Sequence, residues 1–462
     1  MPRSEPSGRP REDGSSDSLA LTLTSVFNSV AGLLGFLIAA WVMPQEEVGR
    51  ATEFVSAMQL IGGAAQLNLG IGIMRWLPGA GRRSVRLVFG SLLLIMPLSG
   101  LAGLVYGLLV PRVASVAAGE GPFGFGLLLL VLGCAGWGVF VVHDFVMVAV
   151  GRPWLAVWRS GTFAVARIGL LAALGAGLAS QGMVLSWVIP VVVWIGAGTI
   201  VLWFLVRRFA ATGGPGTLPS RATMAGFLAP TAVAQLGAVL LYNQIPLLAN
   251  FRMGNTIGAV FFIAWQATVV VDTAAVFFTN SLAVQTAREP HRAAELARHT
   301  RRRMLVLFIP LLVLGAALGW PVLRVLGPGY TVGAPIIAAL MVGVLFRLVV
   351  VFELARRQAD GDGVGYARLS LLNCGLVVAI AALTPLPDPT TTHPALVMLP
   401  FVLGYVAVQA VFAAVLTVAD RRARRRAQAH GPAGSPRRAA STQPVTGPRT
   451  TGRRPPPGAA AQ

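Results

Sequence analysis

The sequence predicts an all-α fold, a polytopic bundle of about twelve transmembrane helices in two pseudo-symmetric lobes of six. Apolar runs of about 20 residues recur between Leu19 and Val418 and match a hydrocarbon core roughly 30 Å thick. Hydrophobic residues make up 55% of the chain and charged residues only 12%, and the mean hydropathy is +0.71. Soluble domains carry roughly 25% charged residues, so this composition indicates a membrane protein.

Glycine and proline separate the apolar runs, as expected between helices. The main interruptions are Pro111, Pro153, the Gly-Pro-Gly run at 327–329 and the proline-rich stretch 385–389. The predicted spans lie near residues 19–43, 51–76, 87–110, 123–150, 159–179, 183–206, 223–247, 257–285, 304–326, 334–354, 366–384 and 395–418. The first run is longer than the roughly 7–15-residue core of a secretory signal, so we expect it to be retained as a helix.

The chain contains no lysine, so all 37 of its lysine-plus-arginine residues are arginines. Basic loops stay on the cytoplasmic side of a membrane. With both termini cytoplasmic, every cytoplasmic connection carries arginine, including Arg82, Arg83, Arg86, Arg152, Arg159, Arg207, Arg208, Arg221, Arg301 to Arg303, Arg356, Arg357 and Arg368. The opposite side holds only Arg50, Arg112, Arg252 and Arg324. The absence of lysine and the abundance of arginine, alanine and glycine indicate a GC-rich bacterial genome. The predicted location is therefore a bacterial inner membrane, with both termini cytoplasmic.

Several chemistries are disfavoured by the composition. A Walker-type phosphate loop and a Schiff base both need a lysine. The five histidines are scattered without zinc-ligand spacing. Cys134 and Cys374 both fall inside apolar runs, where a free thiol acts as a small hydrophobic group. We expect no disulfide, no catalytic residue, no metal and no cofactor.

The spans divide the chain into five segments. These are a cytoplasmic tail (1–18), a first six-helix lobe (19–206), a cytoplasmic linker (207–222), a second six-helix lobe (223–418) and a disordered basic tail (419–462). The arginines that begin the last tail fit attraction to anionic lipid or a simple topology anchor. A basic cluster placed directly after a membrane helix does not fit nucleic-acid binding.

Weak internal similarity supports the two lobes. Glu46 to Gly49 open the second helix with Gln59 further on, and Asn255 to Gly258 open the eighth with Gln266 further on. Residues 33–41, 44–49, 66–72 and 75–78 resemble the opening of bacterial polysaccharide-biosynthesis membrane proteins. These are the Wzx-like flippases of the multidrug/oligosaccharidyl-lipid/polysaccharide (MOP) exporter superfamily.

The resemblance implies a MATE/MOP-like fold and translocation of a lipid-linked oligosaccharide of the polyprenyl-phosphate type between leaflets. Alternating access between the two lobes would drive the movement. The partners implied are the substrate, membrane lipids and polysaccharide polymerases or glycosyltransferases.

Polar residues inside the spans are the candidate sites, because a charge at mid-helix costs about 2.5–3.5 kcal/mol. Arginine offers a bidentate fork to phosphate oxygens. The predicted substrate-binding residues are Arg75 at the inner end, Arg167 and Arg347 in the cavity, and Asn28, Gln59, Gln66, Asn243 and Gln266. Asp144, Asp272 and Glu353 are the predicted ion-coupling groups or counter-charges.

A purely structural interpretation of the same residues stays open. Asp144 would then pair with Arg167, Arg347 would pair with Glu353, and the amides would form ordinary interhelical hydrogen bonds.

Two other functions compete with the flippase. A proton- or sodium-coupled exporter of drugs or metabolites would use Asp144 and Asp272 as coupling carboxylates. A membrane glycosyltransferase, polymerase or ligase would need a large outer loop, whereas the longest one here, at 111–122, has about a dozen residues. The intramembrane arginines favour an anionic substrate over cationic drugs.

Overall fold

The structure, a computed structural model, describes residue 32, residues 34–288 and residues 292–429. All regular secondary structure in these ranges is helical, which confirms the predicted fold class. The helices are α1 (34–42), α2 (Gln45–Ala65), α3 (Leu69–Ala80), α4 (Ser84–Leu109), α5 (Pro111–Ala118), α6 (Phe123–Ala149), α7 (Pro153–Thr212), α8 (Arg221–Val239), α9 (Ile245–Met253), α10 (Asn255–Arg288), α11 (Ala293–Leu326), α12 (Ala334–Ala359), α13 (Gly363–Leu383) and α14 (Pro394–Ala429).

Short non-α helical segments connect some of these helices. A 3₁₀ turn at Gly81–Arg83 joins α3 to α4, and another at Pro328–Gly333 joins α11 to α12. A π-helical segment at Leu240–Gln244 joins α8 to α9 without a break. Alpha-helical, 3₁₀ and π segments all pair their backbone polar groups within the chain, as a lipid environment demands.

Nine stretches of the described residues are long and apolar enough to cross a membrane. The 60-residue α7 contains two predicted spans. The stretch Leu69–Leu109, with its turn at Gly81–Arg83, contains the end of the second predicted span and nearly all of the third. The first predicted span lies mostly outside the described residues. The chain is therefore a multi-pass membrane protein, and its helix order follows the predicted spans.

The predicted single span at 51–76 is wrong in detail, because the helix is interrupted. Helix α2 ends at Ala65 and α3 begins at Leu69. Between them Leu67 and Asn68 have φ angles of 50° and 55°, a left-handed conformation that costs a non-glycine residue free energy. The Asn68 amide donates to the Thr231 carbonyl of α8 at 3.4 Å, so the break is tied to a neighbouring helix.

Helix α7 changes direction at Ala179, where φ is 47° and ψ is −127°. This single residue replaces the turn expected at 179–182. The helix also begins earlier than predicted, with Pro153 in its first turn, where a proline needs no hydrogen-bond partner for its nitrogen. Arg159 therefore lies inside a helix and is buried, and its predicted place in a cytoplasmic connection is wrong.

Buried apolar side chains form one large core cluster and a smaller one among α3, α4, α6 and α7. Helix α2 lies centrally and packs against α6 and α7 as well as α8, α9 and α10. Many large apolar side chains remain exposed, such as Leu93, Leu109 and Phe204, as expected where helices meet lipid. Residues up to Leu416 form one compact unit, and a second begins at Thr417. The division into two six-helix lobes stays a prediction.

Candidate functional site

A buried ion pair lies in the C-terminal half of the chain (221–416), between α10 and α12. Arg347 Nε donates to Asp272 Oδ1 at 3.2 Å, and Arg347 Nη2 donates to Oδ2 at 3.5 Å. The two residues are 3% and 2% exposed. The Tyr242 hydroxyl donates to Asp272 Oδ2 at 2.7 Å. The predicted pair of Arg347 with Glu353 is therefore wrong, because Arg347 binds Asp272 instead.

Two amides on α13 and α14 complete this network. Arg347 Nη1 donates to Asn373 Oδ1. Asn373 and Gln409 exchange hydrogen bonds of 3.2 and 3.3 Å, and both are fully buried. We call Tyr242, Asp272, Arg347, Asn373 and Gln409 the five-residue network. Tyr242, Asn373 and Gln409 were not predicted from the sequence, although an amide within each of the last two apolar runs was a visible signal.

The π-helical segment places Tyr242 in this network. A single π turn inserts one extra residue and redirects the side chains on it, and such turns often mark functional sites. Asn243 follows Tyr242 and donates to the Val239 carbonyl of its own helix at 3.3 Å. Asn243, predicted as a substrate contact, is therefore half-buried beside the network rather than part of its hydrogen bonds.

A second buried ion pair lies in the N-terminal half (34–212), between α6 and α7. Arg159 Nη2 lies 2.6 Å from Asp144 Oδ1, and Arg159 Nη1 donates to the Phe140 carbonyl at 2.7 Å. The guanidinium carbon lies 3.6 Å from the centre of the Phe140 ring. The predicted Asp144–Arg167 pair is therefore wrong. Arg159 is eight residues before Arg167 on the same helix, about two turns away.

Arg167 lines a small pocket between α1 and α7, with a cavity volume of about 10 Å³. Its guanidinium carbon lies 4.4 Å from the centre of the Trp187 ring, which is a cation–π distance. A methyl group on Gly35 would lie 2.8 Å from Arg167 Nη2, so glycine at this position leaves room for the guanidinium. The other lining residues are Gly32, Phe36, Leu171, Met183 and Ser186, and none of the described lining residues is acidic.

The remaining predicted site residues lie elsewhere. Arg75 is exposed on α3 and stacks on Phe227 of α8, with its guanidinium carbon 4.3 Å from the ring centre. Gln66 is buried next to the break after α2, whereas Gln59 and Gln266 are half-buried. Asn28 lies outside the described residues.

Glu353 lies near the end of α12 and faces two arginines of the same helix. Its Oε1 is 2.8 Å from Arg356 Nη2 and 3.0 Å from Arg357 Nε. The structure therefore separates this carboxylate from Arg347, with which it was expected to pair.

The first half of α2, at Gly49 and Glu53, is joined to α5, α9 and α10 by polar contacts. The fully buried Glu53 forms a salt bridge of 2.5 Å with Arg112, which also donates to Asn255 Oδ1 at 2.8 Å. Asn250 donates to the Gly49 carbonyl at 3.2 Å. A methyl group on Gly49 would lie 2.0 Å from the Asn255 carbonyl oxygen, so this close approach requires glycine. These contacts were not predicted from the sequence.

The sequence itself matches no protein-family model and no curated protein. Solved structures are similar in fold. An inward-facing multidrug resistance MATE family transporter of the MOP superfamily is 16% identical and aligns with 87% of this chain and 98% of its own, with a TM-score of 0.59. An outward-facing structure of such a transporter, also 16% identical, aligns with 89% and 98% at 0.58.

The Vibrio cholerae MATE transporter VcmN, solved as a mutant, is 13% identical and aligns with 90% of this chain and 99% of its own, with a TM-score of 0.57. At these identities the likeness shows the fold. The chain therefore has the fold of MATE transporters, and the predicted MATE/MOP-like architecture is confirmed. The TM-scores to the inward-facing and outward-facing structures are almost equal, so the likeness favours neither conformation for this chain.

Proposed function

We propose that this chain is a membrane transporter that flips a lipid-linked oligosaccharide across the plasma membrane by alternating access. The observation that carries the proposal is the pocket between α1 and α7, in which the buried Arg167 guanidinium lies against the Trp187 ring. A cation beside an aromatic ring suits a substrate that combines phosphate with sugar.

The chemistry of the two side chains is complementary to such a head group. A guanidinium offers two parallel N–H donors to a phosphate and stays charged at physiological pH. An indole ring provides a flat apolar surface for the C–H face of a sugar. The Arg167 guanidinium places a positive charge at the pocket, and a positive charge attracts anions. This favours a phosphate-bearing substrate over a cationic drug.

The size of the pocket limits what it holds. Small-molecule sites usually measure roughly 300–1,000 Å³, whereas the cavity volume here is about 10 Å³, about the room that one water molecule needs. We therefore propose that the Arg167 guanidinium and the Trp187 ring are the first contacts of the head group, and that the phosphate and sugars enter a cavity that opens around them during transport. Contacts near both ends of the α2–α3 span, Arg112 to Asn255 and Arg75 to Phe227, would alternate in that cycle.

A cation-coupled exporter is the second candidate. The solved relatives of this fold include transporters described as multidrug resistance proteins. Asp272 is a buried carboxylate that could be a coupling group if it released Arg347 during the cycle. The same residue suits a coupled flippase, so the substrate distinguishes the two candidates.

The test uses the purified protein in liposomes that contain a fluorescent polyprenyl-pyrophosphate-linked sugar. An impermeant sugar-modifying enzyme added outside reports how much lipid reaches the outer leaflet. We expect Arg167→Ala to reduce the flipping rate at least tenfold and Arg167→Lys to reduce it less. Arg208→Ala removes an exposed arginine from the same helix and should leave the rate within twofold of wild type.

A parallel assay measures efflux of a cationic dye from the same liposomes. Dye efflux by wild type without lipid flipping would reject the flippase and support the exporter. An unchanged flipping rate in Arg167→Ala would support the flippase but show that this pocket does not bind the substrate.

A further inference from the structure

A cluster of exposed arginines lies where the start of α4 meets the end of α7. Arg82, Arg83 and Arg86 come from the first side, and Arg207 and Arg208 come from the second. The sequence has no acidic residue from 54 to 119 or from 145 to 271, the segments that contain these helices. Neither segment can therefore neutralise its own arginines.

An aromatic pair shows that Arg86 and Arg207 lie at a similar level along the axes of their helices. The rings of Phe89 on α4 and Trp203 on α7 meet edge to face, with centroids 5.1 Å apart. Arg86 is three residues from Phe89 and Arg207 is four residues from Trp203, so each arginine lies about one turn beyond its ring toward the same end of the bundle. The Arg207 guanidinium carbon is 5.2 Å from the Trp203 ring centre. The two arginines therefore flank one aromatic pair.

Backbone contacts hold the two segments together. Arg82 N donates to the Gly214 carbonyl at 3.1 Å, and Thr217 N donates to the Gly79 carbonyl at 3.2 Å. Gly216 has φ 60°, and a methyl group there would lie 2.1 Å from the Ala80 carbonyl oxygen. The loop after α7 is thus pinned against the α3–α4 turn at a distance that only glycine permits.

The cluster borders the lipid-facing surface. On α7, Ile200 and Phe204 are 60% and 62% exposed, and on α4 Leu93 is 74% exposed. Exposed apolar side chains followed by aromatic rings and then by arginines reproduce the order of acyl chain, interface and head group in a bilayer. We propose that Arg86, Arg207, Trp203 and Phe89 form a binding site for an anionic phospholipid of the surrounding membrane.

The chemistry of the site fits a phosphodiester head group. Two guanidinium groups can bind the phosphate oxygens from either side, while the aromatic rings contact the glycerol and upper acyl chains. Each basic residue near an anionic membrane surface adds to the attraction. A soluble phosphate would gain the ionic contacts but not the acyl-chain contacts with Ile200, Phe204 and Leu93.

Native mass spectrometry of the full chain, after incubation with equal amounts of phosphatidylglycerol and phosphatidylcholine, tests the site. Wild type should retain phosphatidylglycerol at least fivefold over phosphatidylcholine, and Arg86→Gln/Arg207→Gln should reduce that preference at least threefold. The charge-matched control is Arg302→Gln/Arg303→Gln, which removes two other exposed arginines and should keep the preference. An equal loss in both variants would show general charge attraction and overturn the proposal.

Two further measurements complete the test. Glycerol 3-phosphate at millimolar concentration should not displace phosphatidylglycerol, and displacement would mean a soluble-phosphate site instead. Gly216→Ala should weaken the lipid preference by separating the two segments, whereas Gly214→Ala should not, because a methyl group on Gly214 meets no atom within 4 Å. An unchanged lipid preference in Gly216→Ala would show that the backbone contacts between the two segments are not needed for lipid binding.

Discussion

The two buried ion pairs differ in how completely the protein encloses the arginine. In the C-terminal half, Arg347 is surrounded by Asp272, Asn373 and, through Asp272, Tyr242. In the N-terminal half, Arg159 has the Asp144 carboxylate and the Phe140 carbonyl, and the Asp144 side chain is still 19% exposed. The C-terminal pair is thus closed off by hydrogen bonds from several helices, while the N-terminal pair keeps one side open.

This difference indicates different roles for the buried arginines of the two halves. Asp144 binds Arg159, and Arg167 lies two turns further along α7 at a pocket whose described lining contains no acid. Asp272 binds Arg347 directly, and the next arginines on α12, Arg356 and Arg357, pair with Glu353. This difference supports the proposed roles, in which the five-residue network serves stability and coupling and Arg167 contacts the substrate.

The largest effect is expected from Arg347→Ala. Removing one partner of a buried pair leaves the Asp272 carboxylate with only the Tyr242 hydroxyl, which costs about 3–5 kcal/mol of stability. The expected result is a clear drop in the midpoint of detergent-induced unfolding, followed by circular dichroism. Asp272→Leu/Arg347→Met removes both charges and should recover most of that loss. A stable Arg347→Ala protein would show that the network is hydrated rather than closed.

An intermediate effect is expected from Arg159→Ala compared with Arg167→Ala. Asp144 is partly exposed, so losing Arg159 should cost about 1–3 kcal/mol of stability. Arg167→Ala loses a cation–π contact and should cost about 0.5–2 kcal/mol, with a much larger fall in flipping rate. Unfolding midpoints and flipping rates of both variants give the comparison. If both lost stability and transport in the same ratio, the separate roles of the two arginines would be wrong.

The sequence was sufficient for the fold because hydrophobic length and arginine placement are local signals. The spans around α6, α10 and α12 end within a few residues of their predicted limits. The break at Leu67 and Asn68 was not predictable, since neither residue is a glycine or proline and the break depends on contacts such as Asn68 to Thr231.

The ion pairs show the same limit for the site. The sequence marked Arg347 and Asp272 as unusual, but they are 75 residues apart, and only the packing of α10 against α12 makes them partners. For Asp144 the predicted partner was Arg167, whereas Arg159, which was assigned to a connection, proved to be the partner because α7 begins at Pro153. Residue type was predictable, whereas pairing required the helix boundaries.

The smallest effect is expected from Glu353→Gln, which tests the third predicted coupling carboxylate. Its partners Arg356 and Arg357 lie on the same helix, and the Arg356 side chain is 46% exposed. Ion pairs of this kind contribute about 0–1 kcal/mol, because water already solvates the arginine. Unfolding midpoint and flipping rate should therefore stay close to wild type, while Asp272→Asn should lower the flipping rate strongly. A transport defect in Glu353→Gln with unchanged stability would move the coupling group from the five-residue network to the end of α12.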